Sequence, residues 1–461
     1  MRKGAFFCIM ALFFFAVIMA SETDAYFFTF MGTRHDEIVS NWGVQAGVGG
    51  YVFDGQFGLT GAFDARNFMI GTFQPQNSHA SSWPDLFENF YYLLDYGYAW
   101  YEADKIKLWA GFQNLEKGLG ESYKLWVSPN SGSYPSVSLF YQPFGEVFTV
   151  DLNLLFLKNA IFDFSIPNKQ RIQTAKTLYY RSYSLNLFDA FRFGFSDAIL
   201  FFGRSLDFMY LLSPAPFQTT QEIMCNQTGP WDSSTVNDNG FMGLFFEYDD
   251  DIVRVFSEVL IDDFFPEQLF DASKKKEGLV QKIAWDLGGA INVSERSRVG
   301  VEFAGATRYT FQASAHSATV PPYAYTHYDE EQWRDLPIEY NMLGYLYGEN
   351  SASLDVFYKF KEDHWNAQAH YEFVCFGERE PFRDQVNTGS GFVWLEDPVL
   401  EMQHKLKFKL GVDFVWDTHL NLDITLGRVI NKKLIEGLND YVLGFSVEAT
   451  KHIPMMQFVH F

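Results

Sequence analysis

The stretch Lys405-Leu406-Lys407-Phe408-Lys409-Leu410-Gly411-Val412-Asp413-Phe414-Val415-Trp416 decides the fold. Leu406, Phe408, Leu410, Val412, Phe414 and Trp416 fall on one side of an extended chain, and Lys405, Lys407, Lys409, Gly411 and Asp413 on the other. Successive side chains of a strand point to opposite faces, so the pattern separates two solvents. The next segment repeats it, with Leu420, Leu422, Ile424 and Leu426 against Asn421, Asp423 and Thr425. A soluble sandwich also alternates. The recurrence in segments of about ten residues, the length that crosses a bilayer with tilt, favours a transmembrane antiparallel β-barrel. Closure matters because a barrel leaves no unpaired strand edge in lipid.

Working outward, short turns are expected near Glu102–Lys105, Asp189–Phe191, Asp249–Ile252, Ser294–Ser297, Lys361–His364 and Trp416–His419. Long connections are expected at Ser213–Val236, Asp263–Lys282, Thr310–Ser351, Gly377–Glu401 and Arg428–Asp440. Short turns belong on the periplasmic side and long loops outside. Counting strands from Val44 to Phe461 gives about 18, an all-β barrel within the known range. Fifty Phe and 25 Tyr in 461 residues suit a lipid-facing band with aromatic girdles. The segments Trp83–Asp95 and Lys432–Asn439 read as short helices, the first with Pro84 in its opening turn.

Residues 1–20 read as an export signal: Arg2 and Lys3, an apolar run from Ala5 to Met19, and a cleavage point after Ala20. The barrel then spans 21–461, in the outer membrane, with bilayer lipid as its first partner. Net charge is −22, and −24 without Arg2 and Lys3, which argues against nucleic acid as a partner. Two cysteines remain, Cys225 and Cys375, and an oxidising envelope permits a disulfide if their loops meet. Phe461 ends a closing strand, as in barrels inserted by the bacterial barrel-assembly machinery.

The polar faces carry mixed charges: Arg254, Glu258 and Asp262; Arg298, Glu302 and Arg308; Asp355 and Lys359; Asn366, Gln368, His370 and Glu372. Unpaired charge away from water is costly, so a self-neutralising interior is expected. Catalytic patterns are missing: there is no His-Glu-Xaa-Xaa-His and no Gly-Xaa-Ser-Xaa-Gly. Asp262 and Asp263 are adjacent on a strand, so they face opposite ways and are ill placed as an acid–base pair. No enzyme, metal or cofactor is expected.

The candidate ligand site is the loop after Arg308, which gathers Tyr323, Tyr325, His327, Tyr328, Trp333 and Arg334. Aromatic faces stack on sugar rings, and Asp262, Glu302 and Arg308 would ring them with hydrogen-bonding charge. Glu302 is expected to pair with lumen cations.

Between Tyr180 and Lys361 the chain resembles the capsule-assembly Wzi family. The resemblance rests on the order of Phe193–Arg204, Leu212-Ser213-Pro214 with Phe217, Asp238-Asn239, Glu258–Phe264, Glu302–Thr310 and Gly344–Ser351. It implies an 18-stranded outer-membrane barrel that binds surface polysaccharide without catalysis. Only Tyr26–Trp42 and the Pro84 region offer material for that family's periplasmic helices. The alternative is a porin-like channel for small solutes or lipophilic compounds. An open lumen would favour transport, and a filled one binding.

Overall fold

The computed structural model describes residues 22–34, 37–52, 57–68, 85–87, 90–131, 133–157, 161–162, 171–172, 175–202, 205–226, 238–265, 279–312, 325–326, 341–379, 390–414 and 418–457, with side chains within 97–447. The expected signal at 1–20 and the terminal Phe461 lie outside these residues. The wall strands are β1 (Glu22–Arg34), β2 (Glu37–Val52), β3 (Phe57–Phe68), β4 (Phe90–Ala103), β5 (Ile106–Gln113), β6 (Tyr134–Tyr141), β7 (Phe148–Leu157), β8 (Lys176–Leu187) and β9 (Phe191–Phe202). They continue as β10 (Asn239–Asp249), β11 (Val253–Asp263), β12 (Lys282–Ser294), β13 (Ser297–Ala306), β14 (Ser351–Lys361), β15 (Trp365–Phe376), β16 (Glu401–Phe414), β17 (Thr418–Ile430) and β18 (Asp440–Gln457).

Each strand pairs antiparallel with the next. The last then pairs with the first, Phe28 opposite Thr450, and the ring of 18 is closed. The sheet has 19 strands in all; the extra one, Asp85–Phe87, pairs only at the start of β4. The expected short turns up to Lys361–His364 sit where two such strands meet, and the last falls between β16 and β17, where Trp416 and Asp417 lie outside the described residues. Closure explains how a wall with one apolar face exists without an edge.

The alternation decides the two faces. Val301 and Phe408 are exposed on the outside, while Glu302 between its apolar neighbours is buried within. Phe193, Leu244, Val255 and Leu287 continue the exposed apolar band around the wall. The chain is therefore an outer-membrane β-barrel.

Four expectations change. Tyr26–Trp42 forms most of β1 and the start of β2, not helix. Its Tyr-Phe-Phe-Thr-Phe run favours a pleated backbone. The Pro84 region enters β4 through a short strand rather than a helix. Lys432–Leu434 is one tight turn, with Asn431 and Lys433 in the left-handed region, too short for a helix. Cys375 is a buried free thiol, so no disulfide joins it to Cys225. Cys225 lies in a helix against β9 and β10, several strands away around the ring.

Candidate functional site

Residues 114–133, between β5 and β6, turn into the lumen. Lys117 and Val127 pair as an isolated bridge, so the segment is a loose hairpin. Its tip, Leu119 to Trp126, is seated on carboxylates of the wall. The Glu302 carboxylate accepts the backbone N–H of Glu121 at 2.8 Å, Ser122 at 2.9 Å and Tyr123 at 2.8 Å. Glu258 accepts Leu119 N–H at 3.2 Å and the Trp126 indole N–H at 3.0 Å. Ser122 Oγ donates to Asp355 at 2.5 Å, and the Tyr123 hydroxyl donates to Glu372 at 3.2 Å. Irregular backbone inside a barrel has no ladder partners, and these carboxylates supply the acceptors.

Gly120 is required by this approach. A Cβ there would lie 1.9 Å from the Tyr123 carbonyl oxygen, 2.2 Å from Asp286 Oδ2 and 2.5 Å from Glu302 Oε1.

Strand register arranges the charges in tiers. Glu302 is opposite Asp355, Asp355 opposite Glu372, and Glu372 opposite Lys405. Two inward positions nearer the short turns, Arg298 is opposite Lys359, Lys359 opposite Gln368, and Gln368 opposite Lys409. Glu121 on the hairpin tip reaches this basic tier. Its carboxylate meets Lys359 Nζ at 2.6 Å, Arg254 Nη1 at 3.4 Å and the Arg298 guanidinium. Burial pushes the Glu121 carboxyl up, but the Lys359 and Arg298 cations outweigh it and hold the group below its ordinary value. Elsewhere Arg254 and Arg192 share Glu247, Lys117 meets Asp151 at 2.7 Å, and Lys407 meets Glu372 at 2.8 Å.

Residues 307–312, 325–326 and 341–350 of the connection after β13 lie in the long-loop end. Asp262 accepts Phe311 N–H at 3.0 Å, Tyr309 N–H donates to Glu349 at 2.6 Å, and Met342, Leu343, Tyr345 and Tyr347 pack inside. The two segments are joined: the Tyr325 hydroxyl donates to the Trp126 carbonyl at 2.8 Å, and Ser128 N–H to the Leu343 carbonyl at 2.5 Å. The described parts of the two segments thus pack together in the long-loop half of the lumen. The short-turn half holds a cavity of about 710 Å³ lined by Arg296, Arg298, Lys359, Lys361, Asp251 and Gln368 among others. A smaller one of about 200 Å³ lies between Lys117, Asp151, Arg192 and Glu258.

The expected site residues separate. Tyr323, His327, Tyr328, Trp333 and Arg334 lie outside the described residues. Tyr325 is fully buried, its ring on Phe311 at 5.8 Å and against Phe241 at 4.7 Å, with no face for a sugar. Asp262 and Glu302 hold inserted backbone. Glu302 meets amides, not the expected cations, because the cations of its neighbourhood converge on Glu121. Arg308 lies past the end of β13 and ties Asp397, at 3.3 Å, and Glu378 of the 377–400 connection. Sequence reading missed the 114–133 insertion altogether. Its signal was a 20-residue gap in the alternation holding Gly118, Gly120 and the unalternating Leu125-Trp126-Val127.

No family model matches the chain, and no curated protein does. Solved structures do. The chain is similar to Pseudomonas aeruginosa OprD, at 10% identity and TM-score 0.50, over 94% of this chain and 95% of that one. It is similar to OccK1 (OpdK) of the same organism, at 7% identity and TM-score 0.51, over 94% and 98%. Both are outer-membrane porins, channels rather than enzymes. The likeness overturns the resemblance to the Wzi family and, with it, the expectation of polysaccharide binding. The stretches that carried that resemblance are wall strands and their loop junctions. Their pattern is set by the bilayer and by inserted loops, so it reports fold and not ligand.

Proposed function

We propose that this chain is a non-catalytic channel for small polar solutes. The observation that carries the reading is the pair of inserted segments, clamped to the wall by buried carboxylates, above a charged cavity at the short-turn end. A wall built only to display loops has no use for a hairpin held in its lumen by three amide bonds to one carboxylate. Such a hairpin narrows a path and sets its lining, as charged rings do in pores. Arg298 and Lys359 on one side and Asp251 on the other give the cavity both signs, which suits hydrated solutes rather than lipophilic ones. In this reading Asp262, Glu302 and Arg308 are supports of the constriction. Residues 1–20 direct export, and Phe461 is the recognition element for barrel assembly.

The test is planar-bilayer conductance together with liposome swelling in sugars and amino acids of graded size. Discrete ion conductance with a size cutoff is expected. A barrel that is folded and inserted yet conducts nothing and admits no solute would refute the reading.

A further inference from the structure

The connection after β9 does not rise into water. It folds back down the outside of the barrel. Tyr180, Ser182, Ser184 and Arg192 line a lumen cavity, so Tyr179, Arg181, Asp197, Ile199 and Phe201 belong to the opposite, lipid-facing side of β8 and β9. All five are nonetheless buried. They are covered by helices α1 (Phe208–Leu212) and α2 (Phe217–Asn226), with Tyr210 and Phe217 packed on the wall.

The position of Arg181 and Asp197, near the middle of β8 and β9, places this cover at membrane depth. The cross-strand row reads Leu139, Leu152, Arg181, Asp197, Met242, Ile261 and Ile283. It is apolar except for one ion pair, and Arg181 is near the middle of its strand. The pair is well made: Arg181 Nε to Asp197 Oδ1 at 2.6 Å and Nη2 to Oδ2 at 2.8 Å. Its remaining capacity is taken up by the cover. Arg181 donates to the Ser213 carbonyl at 2.6 Å and to the Ala215 carbonyl, and Asp197 accepts Phe217 N–H at 2.9 Å. Pro214 and Pro216 have no N–H to satisfy, and Ala215 N–H donates to Ser213 Oγ at 3.3 Å. The Ser213 and Ala215 carbonyls and the Ala215 and Phe217 N–H groups of this non-helical stretch are thus taken up, which lowers the cost of placing it in hydrocarbon.

The outer surface of the cover matches. From Leu206 to Phe217 the exposed side chains are all apolar; Phe208 is 63% and Leu212 76% exposed. No charged residue occurs from Phe208 to Gln221. This surface continues the exposed band of the wall at Phe193 and Leu244. We propose that residues 206–217 form a lipid-embedded sheath on the outside of the barrel: its outer face takes membrane acyl chains, and its inner face seals the Arg181–Asp197 pair from them.

Spin labels test this in proteoliposomes of the full barrel with Cys225 and Cys375 replaced by Ser. Labels at Phe208→Cys and Leu212→Cys are compared with Leu244→Cys on the wall and Glu436→Cys in an exposed outer connection. The sheath labels should be relaxed by oxygen as strongly as the Leu244 label and be shielded from a water-soluble nickel chelate to the same extent. Nickel access equal to that of the Glu436 label would overturn the proposal by placing the segment in water. Low access to both reagents with label–label broadening would overturn it by placing a second copy of the chain there.

Discussion

The Glu302 carboxylate makes a quantitative case. Glu302→Gln keeps size and shape but removes the charge and one acceptor oxygen. In the better rotamer the amide oxygen replaces Oε2 and retains the Glu121 and Ser122 N–H bonds, now as neutral bonds, while the NH₂ group faces Tyr123 N–H. Bonds to charged groups contribute roughly 1.5–3 kcal/mol against about 1 for neutral ones, so one loss and two weakenings total about 4 kcal/mol. Relief of like-charge crowding from Asp355, opposite Glu302 in the register, and from Asp286 offsets part of this, leaving about 2–3 kcal/mol. At 1.4 kcal/mol per decade, release of the hairpin tip becomes roughly 30–140 times more frequent. Hydrogen exchange at Glu121, Ser122 and Tyr123 should quicken by that factor while the Val301 amide on the wall is unchanged. Single-channel records should gain brief high-current excursions. If tip exchange stays within about twofold of the parent in a folded barrel, far below that range, the carboxylate is not what holds the hairpin.

Three further outcomes follow from the same geometry. Gly120→Ala must push the tip off Asp286 and Glu302, so it should raise mean conductance with little change in the temperature of barrel unfolding on gels; an unaltered current trace would contradict the close approach. Arg181→Met alone leaves Asp197 buried without its partner and should cost about 3–5 kcal/mol, whereas Arg181→Met with Asp197→Leu should recover much of it; equal losses in denaturant titration would count against a sealed pair. Glu121 has a folded pKa below its ordinary 4.5, so its contribution is fully present above about pH 4.5 and is lost as pH falls through the lowered value. Channel noise from tip release should therefore rise on acidification below that point, and Glu121→Gln should show the noise at neutral pH without the pH dependence.

The wall was legible in the sequence because one physical constraint, lipid on one side, writes itself at every second residue. Lys405–Trp416 and Leu420–Leu426 gave the faces, and the spacing of short turns gave the order of the ring. The first strand was not counted, because Tyr26–Met31 is apolar and aromatic on both faces while Gly32–Glu37 is polar, so neither half alternates. The site was harder for a different reason. Alternation says that Glu258, Glu302 and Asp355 point inward, but nothing local says what meets them there. Glu258 and Glu302 meet backbone amides about 140 to 180 residues earlier in the chain, Asp355 meets the Ser122 hydroxyl, and an amide has no sequence signature. Tyr325 misled for the same reason: an aromatic loop reads identically whether its rings meet a ligand or Trp126 and Phe311.

The junction of β1 with β18 has a consequence for how the molecule is made. Phe28 and Thr450 become neighbours only when nearly the whole chain is available, so the final seam is the most non-local contact in the wall. Loop-closure entropy makes such contacts slow to form, and until this one forms both terminal strands present unpaired N–H and C=O groups. Every partly assembled state therefore carries two adhesive edges, and a chain released into the periplasm in that state would find other chains before it found itself. A route of assembly that shelters these two edges until the seam forms is thus favoured by the topology, whatever the finished barrel does.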